Sequence, residues 1–290
     1  MTESLTLTAP TEATRKLDAQ AERRETPLPG GGRMVWRTWG TGPSLVLLHG
    51  GHGSWMHWAA VIPYLSQRWT LVVPDLPGFG QSDDISGDPP IETIGQAVAE
   101  GAMQIIPDGP IRIAGFSFGG VLGGHVGKGC GDRLAHLVII GSSGMKLTRP
   151  DMEKLHNWKA VPEDERDAIH RRNLGILMIS PSSEITDEMV AIQRANTMMA
   201  RGRSRSFSVT TTLLDVLRDY RPPLDGIWGA EDATAKGHLH ERRDALRVLD
   251  PTSDFVEIPD AGHWVAMDRP EALTRALEKL LLKRMGRAGT

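Results

Sequence analysis

The chain has 290 residues, with 33 Lys and Arg against 36 Asp and Glu, so its formal net charge is −3 at pH 7. A near-neutral chain offers a polyanion no cationic surplus, which argues against nucleic acid as a partner. Hydrophobic residues make up 40% and charged residues 24%, the composition of a globular protein able to bury a sizeable core. The lone cysteine, Cys130, excludes an intrachain disulfide and a cysteine-built zinc site, and with it a cytoplasmic location is expected. Residues 1 to 30 contain no apolar h-region of a signal peptide. Gly, Pro or charge breaks every apolar run before the roughly 18 residues a spanning helix needs, so no membrane is expected as a partner.

In chain order, residues 1–32 read as a flexible polar leader that ends in the breaker cluster Pro29, Gly30, Gly31 and Gly32. From residue 33 short β-branched or Leu-rich runs alternate with helix-compatible stretches. This is the pattern of an α/β fold, a mostly parallel sheet with helices on both faces. Strands are expected at 33–39, 45–49, 70–75, 111–116, 134–140, 225–228 and 253–258, and helices at 55–67, 91–106, 118–129, 239–249 and 271–285. Pro63 is expected to kink or end the first of these helices. Between 145 and 221 the alternation gives way to charged, Met-containing helical patterns at 151–159, 163–178 and 186–201. The expected organisation is therefore a core formed by 33–144 and 222–290, with 145–221 inserted as a helical cap.

The run Ile111-Arg112-Ile113-Ala114-Gly115-Phe116-Ser117-Phe118-Gly119-Gly120 delivers a serine from an apolar strand into a Gly-rich helix start. That is a G-x-S-x-G nucleophile elbow in strand-turn-helix context. A serine held on a tight, strained turn needs neighbours without a Cβ if the hydroxyl is to project into a cleft. Gly115 and Gly119 meet that need. A second strand, 45–48, runs into His49-Gly50-Gly51-His52-Gly53-Ser54, a loop open enough to aim backbone N–H groups at a developing oxyanion.

With these two segments and Val73-Pro74-Asp75-Leu76-Pro77-Gly78-Phe79-Gly80-Gln81-Ser82, the chain resembles the α/β-hydrolase family from about residue 33 to 285. The resemblance implies a triad in the order serine, acid, histidine. His263, in Ala261-Gly262-His263-Trp264 after the last strand, is the expected base. Asp232, in Gly229-Ala230-Glu231-Asp232, is the expected acid, with Glu231 as its neighbouring rival. Asp75 reads instead as a hydrogen-bonding turn residue. The backbone amides of Gly51 and Phe118 are the expected oxyanion donors.

The expected reaction is hydrolysis of a small carboxylic ester, or of an activated carbon–carbon bond in a keto acid, by Ser117, His263 and Asp232. The second option rests on Trp264, which resembles a Gly-His-Trp signature of the carbon–carbon hydrolase branch, and on the stretch from Ile185 to Arg194, which resembles that branch's cap helix. Arg194 is thereby the candidate for a substrate carboxylate, and Trp264, His52 and Trp55 are further candidate substrate contacts. On the blander reading Trp264 packs the core and Arg194 is a solvated surface residue. Phe116 and His52-Gly53-Ser54 depart from the branch's usual Asn and Gly-Pro-Gly turn. Arg201, Arg203 and Arg205 form a Ser-interleaved basic run that reads more readily as a solvated turn than as an anion site.

No cofactor and no metal are expected: H-E-x-x-H is missing, His49, His52 and His57 match no standard ligand spacing, and the glycines around Ser117 do not follow G-x-G-x-x-G. A small-molecule substrate is the expected partner, and a homodimer is compatible with the sequence. The alternatives are a non-hydrolytic receptor with the same pocket, or acyl transfer or cofactor-free oxygen chemistry on the same residues.

Overall fold

A computed structural model describes residues 8–202 and 204–288. Eight strands form one sheet: β1 (Glu22–Pro27), β2 (Arg33–Trp39), β3 (Ser44–Leu48), β4 (Thr70–Pro74), β5 (Ile111–Phe116), β6 (Leu134–Ile140), β7 (Leu224–Gly229) and β8 (Phe255–Ile258). Their order across the sheet is β1-β2-β4-β3-β5-β6-β7-β8. β2 runs antiparallel to both β1 and β4, and every other pair is parallel. The reading as a mostly parallel α/β sheet therefore holds.

Both faces of the sheet are covered, which is why its central strands read as unbroken apolar runs. Along β3, Leu45 and Leu47 join one buried cluster with Ala114 and Phe116 of β5, and Val46 and Leu48 join a second with Ile111 and Ile113. Helix α10 (Pro270–Ala288) packs Leu273, Leu277 and Leu281 on the first face. Helices α3 (Ile91–Ile105), α4 (Phe118–Cys130) and α9 (Leu239–Leu249) cover the second with Val98, Val121, Leu122 and Leu246.

Three expectations differ from the structure. The first is the polar leader over 1–32: its residues 12–27 carry helix α1 (Glu12–Ala19) and the edge strand β1, which pairs with β2 from Glu22↔Thr38 to Pro27↔Arg33. Helix α1 starts at a reciprocal cap between Thr11 and Thr14. Strand β1 buries only Thr26 among its side chains, so it shows no apolar alternation.

Second, the helix expected at 55–67 is split. A 3₁₀ turn over Trp55–Trp58, capped by the Ser54 hydroxyl, precedes the short α2 (Ile62–Leu65), whose first turn holds Pro63. Third, residues 151–159 are not helical apart from the start of a 3₁₀ turn at Trp158–Ala160. The Asn173 amide bonds both the N–H and the carbonyl of His156, at 2.8 and 2.9 Å, and so satisfies that backbone without a helix.

The rest of the segment between β6 and β7 is helical, with α5 (Arg166–Leu177), α6 (Asp187–Met199), α7 (Arg205–Ser208) and α8 (Thr212–Tyr220). It packs onto the loops that carry the site. Trp264 N–H donates to Met178 O at 2.7 Å, and the hydroxyl of Ser54 donates to Asn196 Oδ1 at 2.6 Å.

Candidate active site

Ser117 sits between β5 and α4 with φ 53° and ψ −113°, a conformation that costs strain in a non-glycine residue. Its neighbours make the turn possible. A Cβ on Gly115 would lie 2.3 Å from Gly119 O, and one on Gly119 would lie 2.2 Å from Leu48 O. The Ser117 N–H donates to Ile140 O at 2.8 Å, which ties the elbow to β6.

Ser117 Oγ lies 3.0 Å from His263 Nε2, and His263 Nδ1 lies 2.8 Å from Asp232 Oδ2. With Nδ1–H donating to the carboxylate, Nε2 is left as the acceptor for the serine proton. Asp232 is fully buried, and its other oxygen accepts from the N–H and hydroxyl of Thr234, each at 2.8 Å. Burial opposes ionisation of this carboxyl, but the charge and hydrogen bond of His263 and the bonds from Thr234 outweigh it and hold the group below the usual carboxylate range. Glu231 points elsewhere, paired with Lys236. Gly141, with φ +54°, fits beneath the pair, since a Cβ there would lie 3.2 Å from Asp232 Oδ2.

The His263 loop is braced by Asp268, a residue that no sequence motif marks. Its Oδ2 accepts from Gly262 N at 2.7 Å and from Ser180 N at 2.9 Å, joining the loop to the insertion. A buried carboxylate beside the base could be found in sequence only by knowing which loops meet there.

The loop after β3 is held by two buried histidines. His49 Nδ1–H donates to Gly50 O at 2.8 Å, and its Nε2 accepts from Leu76 N at 2.9 Å. Burial pushes the His49 pKa down to about 4, so the ring is neutral as these bonds require. His57 Nδ1 accepts from Gly50 N at 3.2 Å, and burial followed by the neighbouring His49, His263 and His52 pushes its pKa well below the ordinary value. In a trans peptide the C=O and the following N–H point opposite ways. Fixing Gly50 O on His49 thus fixes the direction of Gly51 N–H. Among the described residues neither Gly51 N–H nor Phe118 N–H finds a partner within the fold.

Asp75 has the turn role expected of it, accepting from Trp55 N at 2.9 Å and Gln81 N at 3.0 Å. Residues 45–276 match the model of the alpha/beta hydrolase family. The chain belongs to the alpha/beta hydrolase family.

Among its relatives in that family, the pimeloyl-[acyl-carrier protein] methyl ester esterase of Pseudoalteromonas atlantica is 27% identical over 54% of this chain and 55% of its own length. The chain thus aligns with about half of that relative. The enzyme of the same name from Pectobacterium carotovorum is 25% identical over 83% of this chain and 95% of its own. A 2-hydroxy-6-oxononadienedioate/2-hydroxy-6-oxononatrienedioate hydrolase of Comamonas testosteroni is 23% identical over 81% of this chain and 86% of its own. Among solved structures, a thermophilic esterase from Thermogutta terrifontis superposes with a TM-score of 0.68 at 26% identity, covering 91% of this chain and 99% of that one. As an alpha/beta hydrolase, the chain is an enzyme of hydrolase type.

Four residues are expected from the sequence to contact substrate: Arg194, Trp55, Trp264 and His52. Arg194 is already paired, with Glu163 at 3.0 Å and Asp167 at 3.2 Å, both within the insertion. The α6 side chain that meets the loop after β3 is the buried Asn196, two residues on and so on the opposite side of the helix. Trp55 is a core residue, 5.6 Å from Trp39 and 5.0 Å beneath the Arg37 guanidinium. Trp264 is also fully buried, its indole N–H donating to His57 O at 2.8 Å, which is the packing role weighed for it. His52 is exposed, in a left-handed conformation (φ 52°) that turns the loop.

Of the basic run, Arg201 pairs with Asp84 at 3.2 Å, and Arg203 lies outside the described residues. The insertion reaches the site elsewhere in this run: Ser204 is buried against Gly51, its Oγ 2.4 Å from where a Cβ would stand. Among the described residues no group of three His, Cys, Asp or Glu side chains could hold a metal ion, and no helix is long and apolar enough to cross a membrane.

Proposed function

We propose that Ser117, His263 and Asp232 are a catalytic triad that hydrolyses a carboxylic ester of a small molecule. The relay of 3.0 Å from Ser117 Oγ to His263 and 2.8 Å from His263 to Asp232 carries the reading. Ser117 Oγ attacks the ester carbonyl as His263 Nε2 takes its proton, and Asp232 holds the imidazole in orientation and offsets its charge. The tetrahedral oxyanion is met by the unpartnered amides of Gly51 and Phe118. His263 then returns the proton to the departing alkoxide, and water, activated by the same imidazole, hydrolyses the acyl-enzyme.

The ester reading is supported by relatives named as methyl ester esterases. For carbon–carbon cleavage of a keto acid, the activity in the Comamonas relative's name, the arginine expected to meet the carboxylate, Arg194, is ion-paired within the insertion. The relay lies within one chain, so a homodimer is not required. A cytoplasmic setting is our reading of a chain whose single cysteine, Cys130, can form no intrachain disulfide.

Covalent labelling by a fluorophosphonate and turnover of p-nitrophenyl esters test the proposal together. Both are expected in the native chain, and Ser117→Ala is expected to lose labelling and several orders of magnitude of turnover. Labelling without multiple turnover would point to a receptor. Normal labelling of Ser117→Ala would remove the nucleophile from the scheme.

A further inference from the structure

A small cavity of about 200 Å³ lies between the segment after β6, the end of α7, the loop after β7 and helix α9. Its described lining carries three cations, Lys146, Arg149 and Arg242, and no carboxylate. Hydroxyl groups share the wall. Thr234 is the residue whose N–H and hydroxyl hold Asp232, and the Ser143 hydroxyl is buried with no hydrogen-bond partner among the described residues. A volume below the roughly 300 Å³ at which ligand pockets begin suits a group of few heavy atoms.

Arg242 is buried, and its guanidinium donates to the carbonyls of Thr148, His238 and Thr234. These acceptors are neutral. The carboxylate beside it, Glu241, stands 3.7 Å away and already accepts from Thr148 N at 2.9 Å. Lys146 and Arg149 are exposed, and among the described residues neither side chain has an ion-pair or hydrogen-bond partner. Burial above all, with the charge of Arg149 added and those of Glu241 and Asp232 opposed, holds the Arg242 pKa below its ordinary value. Arg149 therefore stands close enough to Arg242 to repel it. Lys146 is held at φ 50°, a left-handed conformation that costs a non-glycine residue strain. Exposed cations alone are ordinary surface. Here a buried guanidinium and an unpartnered hydroxyl line the same cavity, and a multiply charged anion among the cations would turn their repulsion into attraction.

We propose that this cavity binds a phosphate-type oxoanion, free or at the end of a phosphomonoester, between Lys146, Arg149, Arg242 and the Ser143 hydroxyl. Chloride or a carboxylate brings a single charge to these cations, whereas a phosphate group brings about two near pH 7 and several strong acceptor oxygens. Ser117 is not in the wall, so the anion is a ligand in addition to the ester and not a part of it. Its link to the reaction is Thr234, which the wall shares with the Asp232 loop. The site stands whether or not Ser117 attacks an ester.

The test is calorimetric titration of the full chain with inorganic phosphate at constant ionic strength, with sodium chloride as the blank. We expect saturable binding of one phosphate per chain. Lys146→Gln combined with Arg149→Gln should weaken it at least about tenfold, and Ser143→Ala about threefold. The double variant should melt with the native chain in chloride, because both cations are exposed and unpaired among the described residues. Glycerol 3-phosphate in a second titration tells the two sources apart: affinity equal to that of phosphate makes this a site for a phosphomonoester, and loss of binding makes it one for the free ion. No saturable binding over chloride, equal affinity in the double variant, or binding that a fluorophosphonate on Ser117 abolishes would overturn the site. None of these outcomes touches the ester chemistry, and a chain without ester turnover would leave the titration standing.

Discussion

At Asp232 the fold gives two adjacent carboxylates different surroundings. Asp232 is fully buried and bonded to His263 and Thr234, whereas Glu231 lies part-exposed against Lys236. Asp232→Asn replaces the acceptor of Nδ1–H with an amide and lets the imidazole take the wrong tautomer, which we expect to lower kcat by about three to four orders of magnitude. Glu231→Gln loses one partly exposed ion pair and should change kcat less than about threefold. Comparable losses in steady-state assays of the two variants would contradict this assignment. The turn that brings Ser117 to His263 and Asp232 was legible because its geometry constrains nearby sequence, as in Gly115 and Gly119, where any Cβ collides with backbone. Arg194 was not, because its partners depend on the rotational phase of α6 against the core, and that phase turned Asn196 inward instead.

Element by element, the sequence marks structure wherever burial is complete. The limits of β2, β5 and β6 fall at the residues expected, in mainly apolar runs that also bury Arg37, Arg112 and His136. The loop after β3 is legible as a motif but not as a mechanism, because nothing in His49-Gly50-Gly51 states that two neutral imidazoles hold the N–H and the carbonyl of Gly50. That arrangement has a consequence in acid. An unfolded histidine takes up a proton near pH 6.5, whereas burial pushes His49 down to about 4 in the fold. Its contribution to stability is present in full above pH 6.5 and is lost as pH falls from there to about 4, an amount of about 3 kcal/mol. Burial and the neighbouring imidazoles also push the His57 pKa well below its ordinary value, which adds to the loss in the same direction. Urea midpoints measured across this window should fall for the native chain. They should fall less steeply, by about one proton, for His49→Gln, which can still donate to Gly50 O. An identical slope in the variant would mean that His49 is not held neutral.

On the scale of the whole molecule, the largest departure from expectation is the N-terminal segment, and its physics explains why it reads as a leader. Strand β1 is an edge with one buried side chain, and α1 contributes chiefly Leu17 and a single charge, so neither leaves an apolar period to detect. The charge is Asp18. It pairs with Arg37, which is fully buried and also bonds Asp75 at 3.1 Å and Gln81 at 2.6 Å. Asp75 in turn accepts from the amide of Trp55, whose ring lies beneath the same guanidinium. Trp39 extends the attachment by donating its indole N–H to Leu17 O at 2.9 Å. Deleting residues 1–20 therefore takes one of two carboxylates from a buried guanidinium and leaves a buried indole N–H without its acceptor. Asp18→Asn alone should cost about 1–3 kcal/mol, and the deletion more, seen as a lower melting temperature. Turnover at 25 °C should suffer less than stability, because Ser117 follows β5, three strands in from β2, and its relay uses no residue of the segment. A deletion variant that melts with the native chain would show that the Asp18–Arg37 pair adds nothing to the fold. One that melts normally but loses turnover would instead place the segment's role at the Asp75 and Trp55 end of the network.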